Sequence, residues 1–179
     1  LALVIGNANY RRATALENPV NDARGMAEAL TRAGFRVDLQ LDAPRTQMTQ
    51  AIETFVGLLA SDQAVGLFYF AGHGMQFSWR NYLVPVDASI ARMDEVTASA
   101  VDVNGLLEGI TRAANPMNVI ILDACRENPF GRDFRVPQKG LSQLDAPPGT
   151  LLAYATAPGN VASDGAGANG LYTENLLRE

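Results

Sequence analysis

The sequence contains very few of the residues with which proteins bind zinc or form disulfide bonds. Its 179 residues include one cysteine and one histidine. A single cysteine excludes an internal disulfide and a zinc site built from several cysteines, and a single histidine makes other zinc sites hard to assemble. Basic residues are also fewer than acidic ones, 14 against 19, so the net charge is -5. This balance argues against nucleic acid or an anionic membrane surface as the main partner.

Long hydrophobic runs are missing as well, since none approaches the ~18 residues that a membrane-spanning helix needs. The sequence begins at Leu1 inside an apolar run, and it closes on YTENLLRE, which is typical of the first turns of a helix without a C-terminal cap. We therefore expect one domain, residues 1–179, excised from a longer chain that carries fused or partner regulatory domains. The lack of a disulfide and the reduced lone cysteine favour a cytoplasmic location.

Apolar strands alternate with amphipathic helices along the sequence, which predicts an α/β fold with a mostly parallel sheet covered on both faces. A segment that alternates around residues 78–81 predicts a small β-hairpin extending from this sheet. The predicted strands are 1–6, 35–41, 64–71, 119–124 and 150–155, and the predicted helices are 19–33, one from residue 46, and 103–113.

The only histidine and the only cysteine occupy equivalent places, just past the ends of two apolar strands. In parallel neighbours His73 and Cys125 would emerge on the same edge, roughly 5–10 Å apart. A nearby imidazole can lower the pKa of a thiol or take its proton, and the N–H groups of Gly74 and Cys125 are candidate oxyanion donors. Separately, each residue also fits a structural role, the cysteine as a small buried hydrophobe and the histidine as a capping or surface residue.

Two segments carry a family resemblance, FYFAGHG at residues 68–74 and ILDACREN at residues 121–128. They resemble the catalytic segments of the caspase–metacaspase family, specifically its bacterial caspase-like members. LALVIGNANY, NPVNDA, YLVPVDA and GTLLAYATAPG extend the resemblance over nearly the whole chain, and the interval of roughly 50 residues from His73 to Cys125 agrees with it. The resemblance implies a caspase-like three-layer α/β/α sandwich. It also implies a cysteine endopeptidase in which His73 is general base and acid and Cys125 is the nucleophile that forms an acyl-enzyme.

The resemblance to metacaspases further implies a preference for basic substrates. Asp22 and Asp123 match the acidic pair that holds an arginine or lysine at P1, the substrate residue before the cleaved bond. The electrostatic attraction between a guanidinium and a carboxylate about 4 Å apart is on the order of 4 kcal/mol, before the cost of desolvating the two groups is subtracted. Metacaspases commonly carry serine where this sequence has Ala71, so one hydrogen bond of the pocket is lost. Alternatively, Asp22 interacts with the dipole of its helix and Asp123 caps a strand.

Further candidates lie outside this pair. Ser163 and Asp164 belong to a Gly/Ala-rich segment that we expect to form a mobile wall of the substrate cleft. Calcium, which many metacaspases need, is an optional cofactor with Asp87 and Asp102 as candidate ligands; no cofactor is otherwise required. The third calcium-binding position of metacaspases, seven residues past the nucleophile, is Arg132 in this sequence. Alternatively, the two scattered acids are ordinary solvated surface residues.

The segment from residue 126 to residue 149 contains four basic residues, which are Arg126, Arg132, Arg135 and Lys139. In a protease specific for basic residues it is a candidate for self-cleavage, as in a zymogen, although it equally fits an ordinary surface loop.

Two functions other than a peptidase fit parts of the sequence. One is a catalytically silent caspase-like module for binding or assembly, which would need no active dyad. Failure of Cys125 to react with iodoacetamide would favour this module over an enzyme. A flavodoxin-like domain that binds a small molecule fits the α/β pattern but leaves His73 and Cys125 unexplained.

Overall fold

The computed structural model describes residues 1–125, 129–130, 141–155 and 169–178. For Cys125 it describes the backbone, as part of a strand. The chain order is β1 Ala2–Gly6, α1 Pro19–Arg32, β2 Val37–Leu41, α2 Arg45–Asp62, β3 Gly66–Phe77, β4 Arg80–Leu83, α3 Val96–Ser99, β5 Val101–Asp102, α4 Val103–Ala113, β6 Asn118–Cys125, β7 Thr150–Tyr154 and α5 Leu171–Leu176. Within these ranges no helix is long and apolar enough to cross a membrane.

Five strands form a parallel sheet in the order β2-β1-β3-β6-β7. The predicted half-exposed strand becomes β2 at one edge of this order. β4 pairs antiparallel with the second half of β3, from Gly74 to Phe77, and β5 pairs antiparallel with β4. The prediction of an α/β fold with a mostly parallel sheet and a small hairpin extension is therefore confirmed.

Alternate residues of β3 point to two different helical layers. Phe68 and Phe70 pack with α2 and α4 on one face of the sheet. Tyr69 and Ala71 pack with α1 on the other face, where the partly buried Tyr172 of α5 joins them. Because successive side chains of a strand point to opposite faces, both faces of this buried strand must be apolar. This arrangement is the three-layer α/β/α sandwich expected from the sequence.

The structure corrects the expectation that the third strand ends before His73. β3 runs on to Phe77, so His73 lies inside a strand that changes partners. Its pairing with β1 ends at Ala71, and from Gly74 onward it pairs with β4 instead. Gly72 makes this transition at a φ of 153°, and a Cβ there would lie 2.7 Å from the hydroxyl of Tyr10. Only glycine fits both the backbone and the space.

The predicted hairpin is formed by the second half of β3 and by β4. Phe77 pairs with Arg80, and the two residues between them, Ser78 and Trp79, have φ values of 50° and 64°. Two positive φ angles in a two-residue connection are typical of a type I′ turn, whose twist matches that of the flanking strands.

Candidate active site

His73 and Cys125 are register partners in adjacent parallel strands, β3 and β6. Cys125 is the last residue of β6, so the pair lies where the parallel part of the sheet ends. The fold thus brings the backbones of the only histidine and the only cysteine side by side at the carboxyl edge, where α/β proteins commonly bind ligands.

The loop after β1 covers and orients His73. The ring Nε2 is 2.7 Å from the carbonyl oxygen of Thr14, and the His73 N–H donates to the hydroxyl of Tyr10 over 2.8 Å. The rings of Tyr10 and His73 have centroids 4.6 Å apart, and His73 is only 3% exposed. A carbonyl oxygen can only accept, so Nε2 carries a proton. In the neutral imidazole the basic lone pair is therefore on Nδ1.

This loop is itself held by contacts on both sides of the site. Asp42 accepts the backbone N–H groups of Ala8 and Asn9, each over 2.9 Å. Burial would raise the pKa of Asp42, but these hydrogen bonds hold that pKa below its usual value. Their stabilising effect is thus present above the unfolded pKa and is lost as pH falls through the folded one. On the other side, the Thr14 N–H donates to the carbonyl of Pro129, shortly after Cys125.

Asp22 and Asp123 approach the same short segment at the start of α5. Asp22, 3% exposed in the first turn of α1, accepts the side-chain N–H of Asn169 over 2.8 Å and the backbone N–H of Gly170 over 2.9 Å. Asp123 accepts the hydroxyl of Thr173 over 2.8 Å. A Cβ at Gly170 would lie 3.0 Å from Asp22 Oδ2 and 3.8 Å from Asp123 Oδ2. The two carboxylates therefore face one small space from two sides.

The pKa of Tyr69 is also affected by both carboxylates. Its hydroxyl lies 2.6 Å from the Thr173 hydroxyl in the buried interior. Burial raises the pKa of Tyr69 well above its usual value, and the charges of Asp123 and Asp22 raise it further. Both carboxylates thus act on one buried phenol.

The remaining candidates of the pocket and oxyanion site have mainly backbone contacts. Ala71, 1% exposed, is the register partner of Asp123, and its carbonyl accepts the Asn7 N–H. Gly74 packs closely on β6, because a Cβ there would lie 2.9 Å from that of Ala124. The space beside Gly72 and Gly74 is therefore occupied by protein atoms.

The two calcium candidates each have a protein partner. Asp87 accepts the Arg45 N–H, while Asp102 caps α4 through the Asn104 N–H and forms an ion pair with Arg80. Among the described residues no group of three or more histidine, cysteine or acidic side chains could hold a metal ion.

Several sequence candidates lie outside the described residues. These are Ser163 and Asp164 of the expected cleft wall and the basic residues of the expected self-cleavage loop, Arg126, Arg132, Arg135 and Lys139.

Four contacting residues were missed in the sequence. Tyr10 and Thr14 belong to a polar loop after β1. Such loops tend to lie at the carboxyl edge of a parallel sheet, and this tendency could have indicated that the two residues lie near the site. Tyr69 follows the pattern of an ordinary buried strand, and Thr173 lies far along the chain, so neither carries a local signal.

The family of this chain follows from its similarity to known proteins. A model of the caspase domain matches residues 1–179. The chain belongs to the caspase family. The caspase domain is also 30% identical to human mucosa-associated lymphoid tissue lymphoma translocation protein 1, over 98% of this chain and 21% of that protein.

A bacterial relative resembles the caspase domain to a similar degree. It is a probable protease of a Desulfuromonadales bacterium, 29% identical over 98% of this chain and 25% of that protein. The caspase domain thus spans a quarter or less of the length of these relatives. The family is one of cysteine peptidases.

Proposed function

We propose that this caspase domain is a cysteine endopeptidase that cleaves after arginine or lysine. His73 Nδ1 takes the proton of the Cys125 thiol, and the sulfur attacks the scissile carbonyl carbon. The tetrahedral intermediate collapses to a thioester when His73 returns the proton to the leaving amine. Water, deprotonated by His73, then attacks the thioester and releases the acid product and the thiol.

The observation that carries this proposal is the placement of His73. It is the register partner of Cys125, and its Nε2–H donates to Thr14, which leaves Nδ1 as the basic nitrogen. A general base needs both a position near the proton it takes and the correct tautomer. The bacterial relative is named a probable protease, which is consistent with this chemistry.

Backbone N–H groups beside the nucleophile are the proposed oxyanion donors. Gly74 follows His73 in β3, and Cys125 ends β6, so their N–H groups belong to the same edge. Loss of one such donor typically costs roughly 3–4 kcal/mol of transition-state stabilisation.

The acidic pair supports the preference for a basic P1 residue. Asp22 and Asp123 face one small space, and the donors from Asn169, Gly170 and Thr173 are neutral, so these donors orient the carboxylates without cancelling their charge. Since Asp22 is nearly fully buried and also anchors the start of α5, we assign the larger share of P1 recognition to Asp123. Calcium dependence and self-processing stay predictions, which a chelator and a time course of the purified chain would test.

A panel of fluorogenic peptides that differ only at P1 tests this function. We expect kcat/KM to be highest for arginine and lysine and at least about a hundredfold lower for aspartate, because the negative charge of a P1 aspartate would be repelled by the acidic pair. Turnover confined to aspartate peptides would contradict the acidic pocket but not the dyad. No turnover of any peptide, with Cys125 unreactive toward iodoacetamide, would favour a silent binding module.

The space at Gly170 gives a second test of the pocket. Gly170 has φ -60° and ψ 147°, which alanine adopts without strain, but the added methyl would lie 3.0 Å from Asp22 Oδ2. We expect Gly170→Ala to raise KM for arginine peptides roughly tenfold by filling the space between the carboxylates. The matched control is Gly57→Ala in α2, where a Cβ meets nothing within 4 Å. Equal KM values for the two variants would show that substrate does not use this space.

A further inference from the structure

Asp123 is held by a side chain from the last described helix. The hydroxyl of Thr173, in the first turn of α5, donates to Asp123 Oδ2 over 2.8 Å. The hydroxyl of Tyr69 lies 2.6 Å from that of Thr173, and both residues are 0% exposed. Three residues distant in sequence thus form a hydrogen-bonded chain that ends on the carboxylate.

The direction of each hydrogen bond follows from the groups involved. An ionised carboxylate only accepts, so Thr173 gives its single proton to Asp123. The Thr173 oxygen must then accept from Tyr69, whose raised pKa keeps its hydroxyl protonated. The chain therefore runs from Tyr69 through Thr173 to Asp123, and every bond in it has a defined donor.

We propose that Thr173, supported by Tyr69, is a positioning residue that fixes the Asp123 carboxylate for a basic P1 side chain. This inference rests on the proposed function, because it assigns a role within the same pocket. A guanidinium binds a carboxylate best through two parallel hydrogen bonds, which requires the carboxylate plane to be fixed. A specificity site is accurate only when its charged group is held by a second layer of contacts.

The same segment also anchors the other carboxylate. The Gly170 N–H donates to Asp22, and the Glu174 N–H donates back to the Gly170 carbonyl at the start of α5. The residues from Asn169 to Thr173 therefore hold both acids in one mutual arrangement. This makes Thr173 a determinant of specificity rather than only a packing residue.

The decisive variant is Thr173→Val, which keeps the shape of the side chain and removes its hydroxyl. We expect KM for arginine peptides to rise roughly ten- to a hundredfold, the scale of a lost hydrogen bond to a charged group, with kcat kept within about threefold. Thr173→Ser should restore the wild-type KM, and Tyr69→Phe should give a smaller rise in the same direction.

Two measurements separate positioning from a structural role. The rate of Cys125 alkylation by iodoacetamide, which has no P1 group, should be unchanged in Thr173→Val. The matched control is Thr111→Val in α4, whose hydroxyl donates to the Leu107 carbonyl away from the site, and its kinetics should equal those of wild type.

The outcomes distinguish this inference from the function on which it rests. If wild type cleaves arginine peptides and Thr173→Val has an unchanged KM, the positioning role is wrong while the peptidase stands. If Thr173→Val loses alkylation and turnover together and Thr173→Ser does not restore them, Thr173 is structural and the inference is overturned. If wild type cleaves no arginine peptide, the proposed function itself fails.

Discussion

Replacing Cys125 by alanine is expected to lower kcat/KM for arginine peptides by at least about a thousandfold, to the background of the assay. In the proposed mechanism the sulfur forms the covalent bond to the substrate, and the chain has no second cysteine to take its place. Binding through the acidic pair should persist, so the variant should still bind an arginine peptide, with a Kd that calorimetry can measure.

The control for this variant is His73→Ala, which removes the base but keeps the thiol. We expect it to lose turnover to a similar extent, since in the proposed mechanism the two residues act as one unit, and the effects of such residues are not additive. Full activity in Cys125→Ala would contradict the covalent mechanism, whatever the specificity of the site.

Neutralising Asp123 should produce the second large effect. Asp123→Asn keeps the size of the side chain and removes its charge, so we expect kcat/KM for arginine peptides to fall by about a hundred- to a thousandfold. The upper value corresponds to the full attraction of about 4 kcal/mol at an effective dielectric near 20. Discrimination against aspartate peptides should shrink as well.

An equal change of net charge elsewhere separates the pocket from a general electrostatic effect. Asp38→Asn in β2 alters an exposed carboxylate at the far edge of the sheet and should leave kcat/KM within about twofold. Equal losses in the two variants, or no loss in Asp123→Asn, would show that Asp123 does not hold the P1 side chain.

The sheet could be predicted because its strands carry their own signal. The apolar runs before His73 and Cys125 are long enough to be buried on both faces, and parallel pairing then places their ends together. The same argument places Ala71 beside Asp123, two residues earlier in each strand, and the structure has this register.

The end of β3 could not be predicted in the same way. Glycines on both sides of His73 are typical of a strand end, but here Gly72 lets the strand leave β1 and continue into the hairpin. Whether the strand ends or continues depends on the hydroxyl of Tyr10, which packs against Gly72. Tyr10 lies about sixty positions away in the sequence, so no local pattern shows this contact.

The residues that orient the site are hidden in the sequence for a related reason. Thr14 acts through its backbone carbonyl, which every residue has, so no side-chain pattern marks it. Thr173 and Tyr69 meet only because α5 packs on the same face of the sheet as α1. Contacts of this kind depend on the assembled fold rather than on local periodicity.

The nucleophile and its acidic pocket can be tested together by mass spectrometry of the wild-type chain after treatment with a peptidyl arginine chloromethylketone. We expect one adduct per chain, a thioether on Cys125 formed with loss of chloride. The aspartate analogue should react at least about a hundredfold more slowly. Attachment to another residue would contradict the nucleophile, and equal rates for the two reagents would contradict the acidic pocket.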